Sequence, residues 1–158
     1  EIVEDSAAAS GFALKKLLGN EVSEMVAADV DGDGRDELVT LEPFHGHRLR
    51  VYKRGGNDEW ESAWETNDLA FAHGLNVIPC GDEQLVVAGS RREGRELHVL
   101  HFTELPGEPR RVDIDSEVGP TQIEPLSDGS NGVAHFVSCN QGAGEVSRYE
   151  LPAKEITG

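Results

Sequence analysis

Short runs of apolar residues, separated by turns rich in Gly, Asp and Asn, make up most of the chain. Some runs alternate, as in residues 48–54, where Leu49 and Val51 are flanked by polar residues, and such alternation is typical of a strand with one buried face. Others, such as residues 38–41 and 85–88, are almost continuously apolar, which is typical of strands buried on both faces. The pattern predicts an all-β fold in which tight turns join short strands.

One segment, residues 7–18, is compatible with a helix. It is equally compatible with a strand over residues 12–18, which would be the outer strand of a preceding unit. We predict the strand.

The same layout of three or four short strands recurs three times, with a period of about 45 to 50 residues, which is the size of a propeller blade. We therefore predict a β-propeller-like array of four-stranded blades. Its parts are residues 1–24 (the end of a preceding blade or an N-terminal arm), 25–70 (first blade), 71–116 (second blade) and 117–158 (third, incomplete blade).

Three blades are too few to close a propeller, since propellers have typically four to eight. The visible units are therefore expected to be a fragment or half of a larger ring. Further blades of a longer chain, or a second copy in a homodimer, would complete that ring; an open stack is the other arrangement left open.

The charge of the chain excludes several partners. There are 30 acidic and 14 basic side chains, and the formal net charge is -16. Nucleic-acid binders neutralise phosphates with clustered Lys and Arg, so no nucleic-acid partner is expected. No apolar run approaches the roughly 20 residues of a membrane span, so no membrane insertion is expected.

The sharpest motif is an acidic loop at residues 29–37. Asp29, Asp31 and Asp33 occupy positions 1, 3 and 5 of this loop, where their carboxylates can converge on one point. Gly34 permits a sharp turn, and Arg35 can offer its backbone carbonyl at position 7. Hard oxygen ligands in this number suit Ca²⁺, because Mg²⁺ prefers a stricter octahedron that retains water.

The loop differs from an EF-hand in its second half. An EF-hand requires Glu at position 12 and flanking helices, whereas position 12 here is Thr40, within a strand-like run. The ninth-position ligand is therefore predicted to be Glu37, with Asp36 the weaker candidate. An acidic turn without metal is the alternative.

Asp-x-Asp-Gly-Asp-Gly-x-x-Glu-Leu-Val, between two short strands, resembles the calcium loop of FG-GAP/VCBS repeats, which occur in the β-propellers of integrin α subunits and of many microbial proteins. The resemblance implies a structural Ca²⁺ at Asp29, Asp31, Asp33, Arg35 and Glu37. The corresponding loops of the second and third units, residues 80–83 and 127–132, have lost most of the carboxylates and are expected to bind no calcium.

A second resemblance rests on residues 41–47, 72–74 and 87–91, which are similar to a microbial branch of VCBS propellers that includes aldos-2-ulose dehydratase/isomerase-like proteins. It implies that histidine-bearing segments face a central channel with a metal-dependent sugar site. His45, His47 and His73 are thus candidates for a second divalent metal, and His45, His73 and Arg91 are candidate catalytic residues.

Arg91 and Arg92 could hold a carboxylate or a sugar acid at the mouth of that channel. A solvated turn is the alternative.

The remaining histidines and the cysteines point to structural roles. His98 and His101 are three apart on one strand and therefore lie on opposite faces, so they cannot ligate one ion. His135 is also expected to be structural. Cys80 and Cys139 have no metal-ligand spacing, and they are expected to be small, at least half-buried thiols.

Trp60 and Trp64 are four residues apart on a predicted strand, and a regular strand would place both on one face. We expect them to pack between blades rather than to stack on a sugar.

Two functions follow from these observations. The first is a calcium-stabilised repeat module that presents a rigid surface to a carbohydrate or protein partner. The second is part of a metal-dependent, sugar-active propeller enzyme, a lyase (dehydratase) or isomerase, that uses channel-facing histidines. We prefer the module, because so short a chain is not expected to contain a complete central site.

Overall fold

The computed structural model describes residues 2–3, 11 and 13–158, and within them the fold is almost entirely antiparallel β-structure. Two short strands, β1 (Ile2–Val3) and β2 (Leu14–Lys15), pair with each other. The predicted strand over 12–18 is therefore present only at 14–15, and the rest of the ambiguous stretch, residues 7–10 and 12, lies outside the described residues.

Three sheets follow in sequence order, each with its strands hydrogen-bonded consecutively. The first contains β3 (Glu24–Ala28), β4 (Glu37–Glu42), β5 (Arg48–Arg54) and β6 (Trp60–Thr66). The second contains β7 (Ala72–Cys80), β8 (Glu83–Ser90), β9 (Leu97–His101) and β10 (Arg110–Asp115). The third contains β11 (Pro120–Pro125), β12 (Val133–Asn140) and β13 (Glu145–Pro152).

This arrangement confirms the predicted all-β, propeller-like class. The third sheet has three strands in the described part of the chain, and a one-turn helix, α1 (Ala153–Ile156), follows β13. Sequence reasoning did not find this helix. Its Ile156 is 1% exposed and belongs to the core between the second and third sheets.

The core consists of two layers, one on each side of the second sheet. Strand β8 shows why its sequence is apolar throughout. Val86 and Ala88 pack toward the first sheet, whereas Leu85 and Val87 pack toward the third. Because successive side chains of a strand point to opposite faces, a strand between two sheets needs apolar residues at every position.

The three strands that begin the sheets, β3, β7 and β11, lie side by side and line an open groove of about 410 Å³. Residues of all three strands border this groove, including Met25, His73 and Ile123. In a closed ring the corresponding strands would surround the central channel.

Alternation of strand direction divides the connecting loops between two ends of the array. Loop 29–36 lies at one end, which we call the acidic end, together with loops 81–82 and 126–132. The opposite end, which we call the arginine end, consists of loops 43–47, 67–71, 91–96, 116–119 and 141–144.

Backbone hydrogen bonds join the loops of the arginine end to one another. They are Leu69 N to His47 O (3.1 Å), Ala72 N to Gly46 O (2.9 Å), Arg92 N to Ala70 O (3.3 Å), Glu117 N to Gly94 O (3.0 Å) and Ala143 N to Val118 O (3.1 Å). These bonds link the three sheets across their loops, so this end forms one connected surface.

The prediction that Trp60 and Trp64 share a face is wrong. Trp64 pairs with Val51 and Trp60 pairs with Arg54, and the register shifts between these pairs. The bulge inserts one residue into β6, so side chains on its two sides that would share a face in a regular strand lie on opposite faces. Trp64 packs against the core and meets Phe102 edge to face at 5.2 Å, whereas Trp60 lies on the other face.

Candidate functional site

Three carboxylates of the acidic loop converge at the acidic end. Oxygen atoms of Asp29, Asp31 and Glu37 lie within 4.8 Å of one another. Glu37 is the first residue of β4, and the two aspartates come from the preceding turn. Within the described ranges this is the one group of three His, Cys, Asp or Glu side chains spaced to hold a metal ion.

The turn is shaped by its own carboxylates. The Asp29 carboxylate accepts hydrogen bonds from the backbone N–H of Asp33 (3.0 Å) and of Gly34 (2.9 Å). Asp33 in turn accepts one from the N–H of Arg35 at 2.9 Å. Gly32 and Gly34 have φ values of 76° and 89°, a region in which a side chain is strained. The loop therefore folds by aspartate-capped turns around two left-handed glycines.

Glu37 is the most unusual of the three carboxylates, since its side chain is fully buried. Its Oε2 accepts a hydrogen bond from the N–H of Val30 at 3.0 Å, and its Oε1 has no hydrogen-bond partner among the residues that the structure describes. Burial raises the pKa of Glu37 to about 7, and the charges of Asp31 and Asp33 act in the same direction. A buried acceptor without a partner costs about 1–3 kcal/mol, and a hard cation would satisfy it.

Lys53, which sequence reasoning missed, reaches the same cluster from β5. Its ammonium group contacts the Asp31 carboxylate, lies 2.7 Å from Asp33 Oδ2 and is 3.8 Å from Glu37 Oε1. Burial opposes the charge of Lys53, but its hydrogen bonds with Asp31 and Asp33 raise its pKa to about 12. The same contact lowers the pKa of Asp33.

The other predicted calcium ligands are placed differently. Asp33 contacts Lys53 but is not part of the three-carboxylate group, and Asp36 and Arg35 are exposed. Asp128, in the equivalent loop of the third sheet, accepts a hydrogen bond from the N–H of Ser130 at 3.0 Å, within its own turn. The donor set of Asp29, Asp31 and Glu37, with one unsatisfied buried oxygen, fits an oxygen-seeking cation.

A second cluster lies at the arginine end, where aromatic rings and guanidinium groups form one stack. The His45 ring lies between Phe44 and Phe71, with ring centroids at 3.8 Å and 4.4 Å. The guanidinium carbons of Arg92 and Arg91 are 4.2 Å and 5.4 Å from the centroid of the Phe71 ring. This cluster combines residues from loops 43–47, 67–71 and 91–96.

Of the three histidines proposed for a second metal, two come together. The rings of His45 and His73 are 5.3 Å apart, and His73 Nδ1 is 3.0 Å from the carbonyl oxygen of Thr121. His47 is exposed and lines a cavity of about 310 Å³ with His45. Burial, followed by the charges of His73, Arg91 and Arg92, lowers the pKa of His45.

The remaining histidines are structural in their contacts. His101 is 2.8 Å from Glu83, and His135 lies 3.6 Å from Glu150. His98 is fully buried, and within the described part of the chain neither of its ring nitrogens has a hydrogen-bond partner. Cys80 is buried, which raises its pKa, whereas Cys139 is exposed, contrary to expectation.

Comparison with known proteins adds no assignment: no protein-family model, no curated protein and no solved structure matches the chain. Among the residues that the structure describes, no helix has the length and apolar character needed to cross a membrane.

Proposed function

We propose that this chain is a calcium-stabilised, propeller-like repeat module of the FG-GAP/VCBS type that presents a rigid surface to a carbohydrate or protein partner. The observation that carries the calcium assignment is Glu37 Oε1, a buried acceptor without a hydrogen bond, next to Asp29 and Asp31. Calcium bound there would satisfy Glu37 and reduce the repulsion among the three carboxylates.

The binding surface is assigned to the arginine end. Its loops are joined by backbone hydrogen bonds across all three sheets, so a partner would meet a surface that is largely formed before binding. A preformed surface lowers the entropic cost of association. Loops carried on a rigid β-scaffold are a common location for binding residues.

The calcium assignment is tested by thermal unfolding with and without CaCl₂. We expect calcium to raise the melting temperature of the wild type, since a ligand that binds only the folded state stabilises it by mass action. Asp31→Asn keeps the size of the side chain but removes one ligand charge, and it should abolish most of the calcium-dependent rise. Asp128→Asn, in the equivalent loop of the third sheet, is the matched control and should respond as the wild type does. A full calcium response in Asp31→Asn would contradict the assignment.

A second candidate function is a metal-dependent, sugar-active enzyme, either a lyase or an isomerase. The observation that favours it is the approach of the His45 and His73 rings, whose centroids are 5.3 Å apart, together with the position of His73 in the groove lined by β3, β7 and β11. Two imidazoles at this position could contribute to a metal site or exchange protons with a bound sugar. A transition metal that survives dialysis in the wild type and is lost in His73→Ala would support the enzyme, and calcium as the sole retained metal would contradict it.

A further inference from the structure

The two arginines that stack on Phe71 have no anionic partner in the described part of the chain. Neither the Arg91 nor the Arg92 guanidinium lies within ion-pair distance of a carboxylate there, although the chain carries 30 acidic side chains. Other arginines, such as Arg50 and Arg111, are paired with Glu or Asp. The pair at the arginine end is therefore available to an external anion.

Stacking holds these guanidinium groups in place without using their N–H groups. A guanidinium packed on an aromatic face can still direct its N–H edge outward, and two N–H groups on that edge match the two oxygens of a carboxylate. The guanidinium carbon of Arg92 lies 4.2 Å from the centroid of the Phe71 ring. The Phe71 ring also stacks on the His45 ring. The charged groups are thus positioned before any ligand arrives, which reduces the ordering cost of binding.

Backbone strain is concentrated at the same end. Five of the six non-glycine residues with positive φ in the described ranges belong to it, namely His45, Phe71, Glu93, Arg95 and Glu117. A side chain at such a φ value is strained, and strain of this kind clusters at ligand-binding sites. At His45 and Phe71 the strained backbone carries the rings of the stack, so the strain and the candidate site involve the same residues.

The shape and surroundings of the stack indicate a ligand of sugar size. Arg92 borders two cavities, of about 310 Å³ and about 280 Å³, and Glu93 also lines the larger one. The Phe44 ring at the other end of the stack is 64% exposed and offers a flat apolar surface for the C–H face of a neighbouring sugar ring. A pocket with an apolar platform and a few fixed polar groups is typical of small-molecule sites.

We propose that the arginine end binds an acidic carbohydrate, with a sugar carboxylate on Arg91 and Arg92 and an adjacent sugar unit on Phe44. This inference rests on the proposed role as a binding module and specifies the partner: a uronic acid oligomer rather than a neutral sugar. His45 supports the site by holding Phe71 and Phe44 in one stack.

The test is a titration of the isotope-labelled full chain, followed by heteronuclear NMR, with galacturonic acid trimer. We expect saturable shifts at the amides of Phe71 and Arg92. Arg91→Gln and Arg92→Gln should each weaken binding at least about tenfold, which corresponds to about 1.4 kcal/mol. Arg92→Lys should lose most of the affinity as well, because lysine lacks the planar fork. Arg110→Gln, at an exposed arginine on β10, is the matched control and should bind as the wild type does.

Further ligands separate the sugar acid from other anions. Methyl galactoside should give no saturable shift, and inorganic phosphate and triglutamate should bind more weakly than the trimer. Phe44→Ala should weaken binding of the trimer but leave that of monomeric galacturonate unchanged. Equal binding of triglutamate and the trimer would overturn the carbohydrate assignment, and absent or arginine-independent binding of the trimer would overturn the site.

The calcium response of each variant is measured in the same samples. Absence of trimer binding in the wild type, with an intact calcium response, contradicts only this inference. Loss of the calcium response in the wild type, with trimer binding intact, contradicts only the calcium assignment.

Discussion

At the scale of single residues, the acidic end shows how one side chain from a neighbouring strand can alter a local motif. Lys53 places its ammonium group against Asp31 and Asp33, where it acts as a cation built into the loop. Under the proposed function, calcium bound by Asp31 would have to compete with this contact. Lys53 would then make the fold less dependent on calcium and lower the affinity of the loop for the metal.

Substitution Lys53→Met tests this competition. Without calcium, the variant should be less stable than the wild type, because the carboxylates lose the one cation that lies within ion-pair distance among the described residues. With the competitor removed, the apparent affinity for calcium should rise by about tenfold. Calorimetric titration with CaCl₂ measures the affinity, and Lys15→Met, at an exposed ion pair with Asp58, serves as control. A lower affinity for calcium in Lys53→Met would show that lysine supports the metal site instead.

His98 supplies a pH dependence at the same scale. Burial lowers its pKa from 6.5 to about 4, and it has no hydrogen-bond partner that would compensate a charge. The unfolded chain takes up the proton near pH 6.5, whereas the folded chain takes it up only near pH 4. Titration of His98 therefore leaves the free energy of unfolding unchanged above pH 6.5 and lowers it as the pH falls toward 4.

The corresponding variant is His98→Leu, which fills the buried position without a titrating group. From about pH 7 to about pH 5, the wild type should lose about 2 kcal/mol of unfolding free energy through His98, and the variant should not show this loss. Urea denaturation at both pH values measures the difference. His47→Gln, at an exposed position, should leave the pH dependence unchanged; an equal fall in His98→Leu and the wild type would contradict the assignment.

These residues also show what the sequence could predict about the sites. Asp29, Asp31 and Glu37 lie within nine consecutive residues, in one turn and at the start of the strand that follows it, so their convergence is encoded in local spacing. Lys53 and Phe71 approach their partners only through strand register and loop packing, and neither contact has a signal in the spacing of the sequence. The cluster at Arg91 and Arg92 could be anticipated as charge, but not as a stack.

At the scale of strands and sheets, the apolar pattern predicted the meander well, because each strand alternates or is continuously apolar according to the layers it separates. Failures came where the period of two was interrupted. The bulge in β6 moved Trp60 to the opposite face from Trp64, and no composition signal marks that extra residue. The short helix α1 was missed because its four residues are too few to show a helical period.

Gly89 provides a test of packing between the second and third sheets. A Cβ atom at this position would lie 2.3 Å from Pro120 Cγ and 2.4 Å from the carbonyl oxygen of Glu96. Gly89→Ala should therefore lower the unfolding free energy by about 1–3 kcal/mol, the typical cost of overpacking. Gly56→Ala, where a Cβ meets nothing within 4 Å, is the control in the same urea denaturation experiment. Equal stability of the two variants would show that the sheets are free to separate at Gly89.

At the scale of the whole molecule, the third sheet has one face that no further sheet covers in the described chain. On β12 the buried residues, such as Ala134 and Phe136, face the second sheet, whereas Val133, Val137 and Cys139 are partly or fully exposed on the other face. The second sheet, by contrast, is covered on both sides. The third sheet is therefore a place where another blade could continue the array.

Two copies of the chain would supply six sheets, which lies within the range of closed propellers. We expect light scattering after size exclusion, with calcium present, to give twice the mass of the chain. Val137→Glu places a charge on the uncovered face of β12 and should shift the mass to that of a monomer. It should not lower the melting temperature of the isolated array. Glu145→Gln, at an exposed site on β13, is the control and should leave the mass at that of the dimer. A wild-type monomer would contradict closure by two copies. In that case, other blades would have to complete the groove lined by β3, β7 and β11. The arginine end of one chain would then have to bind its partner without residues from a second copy.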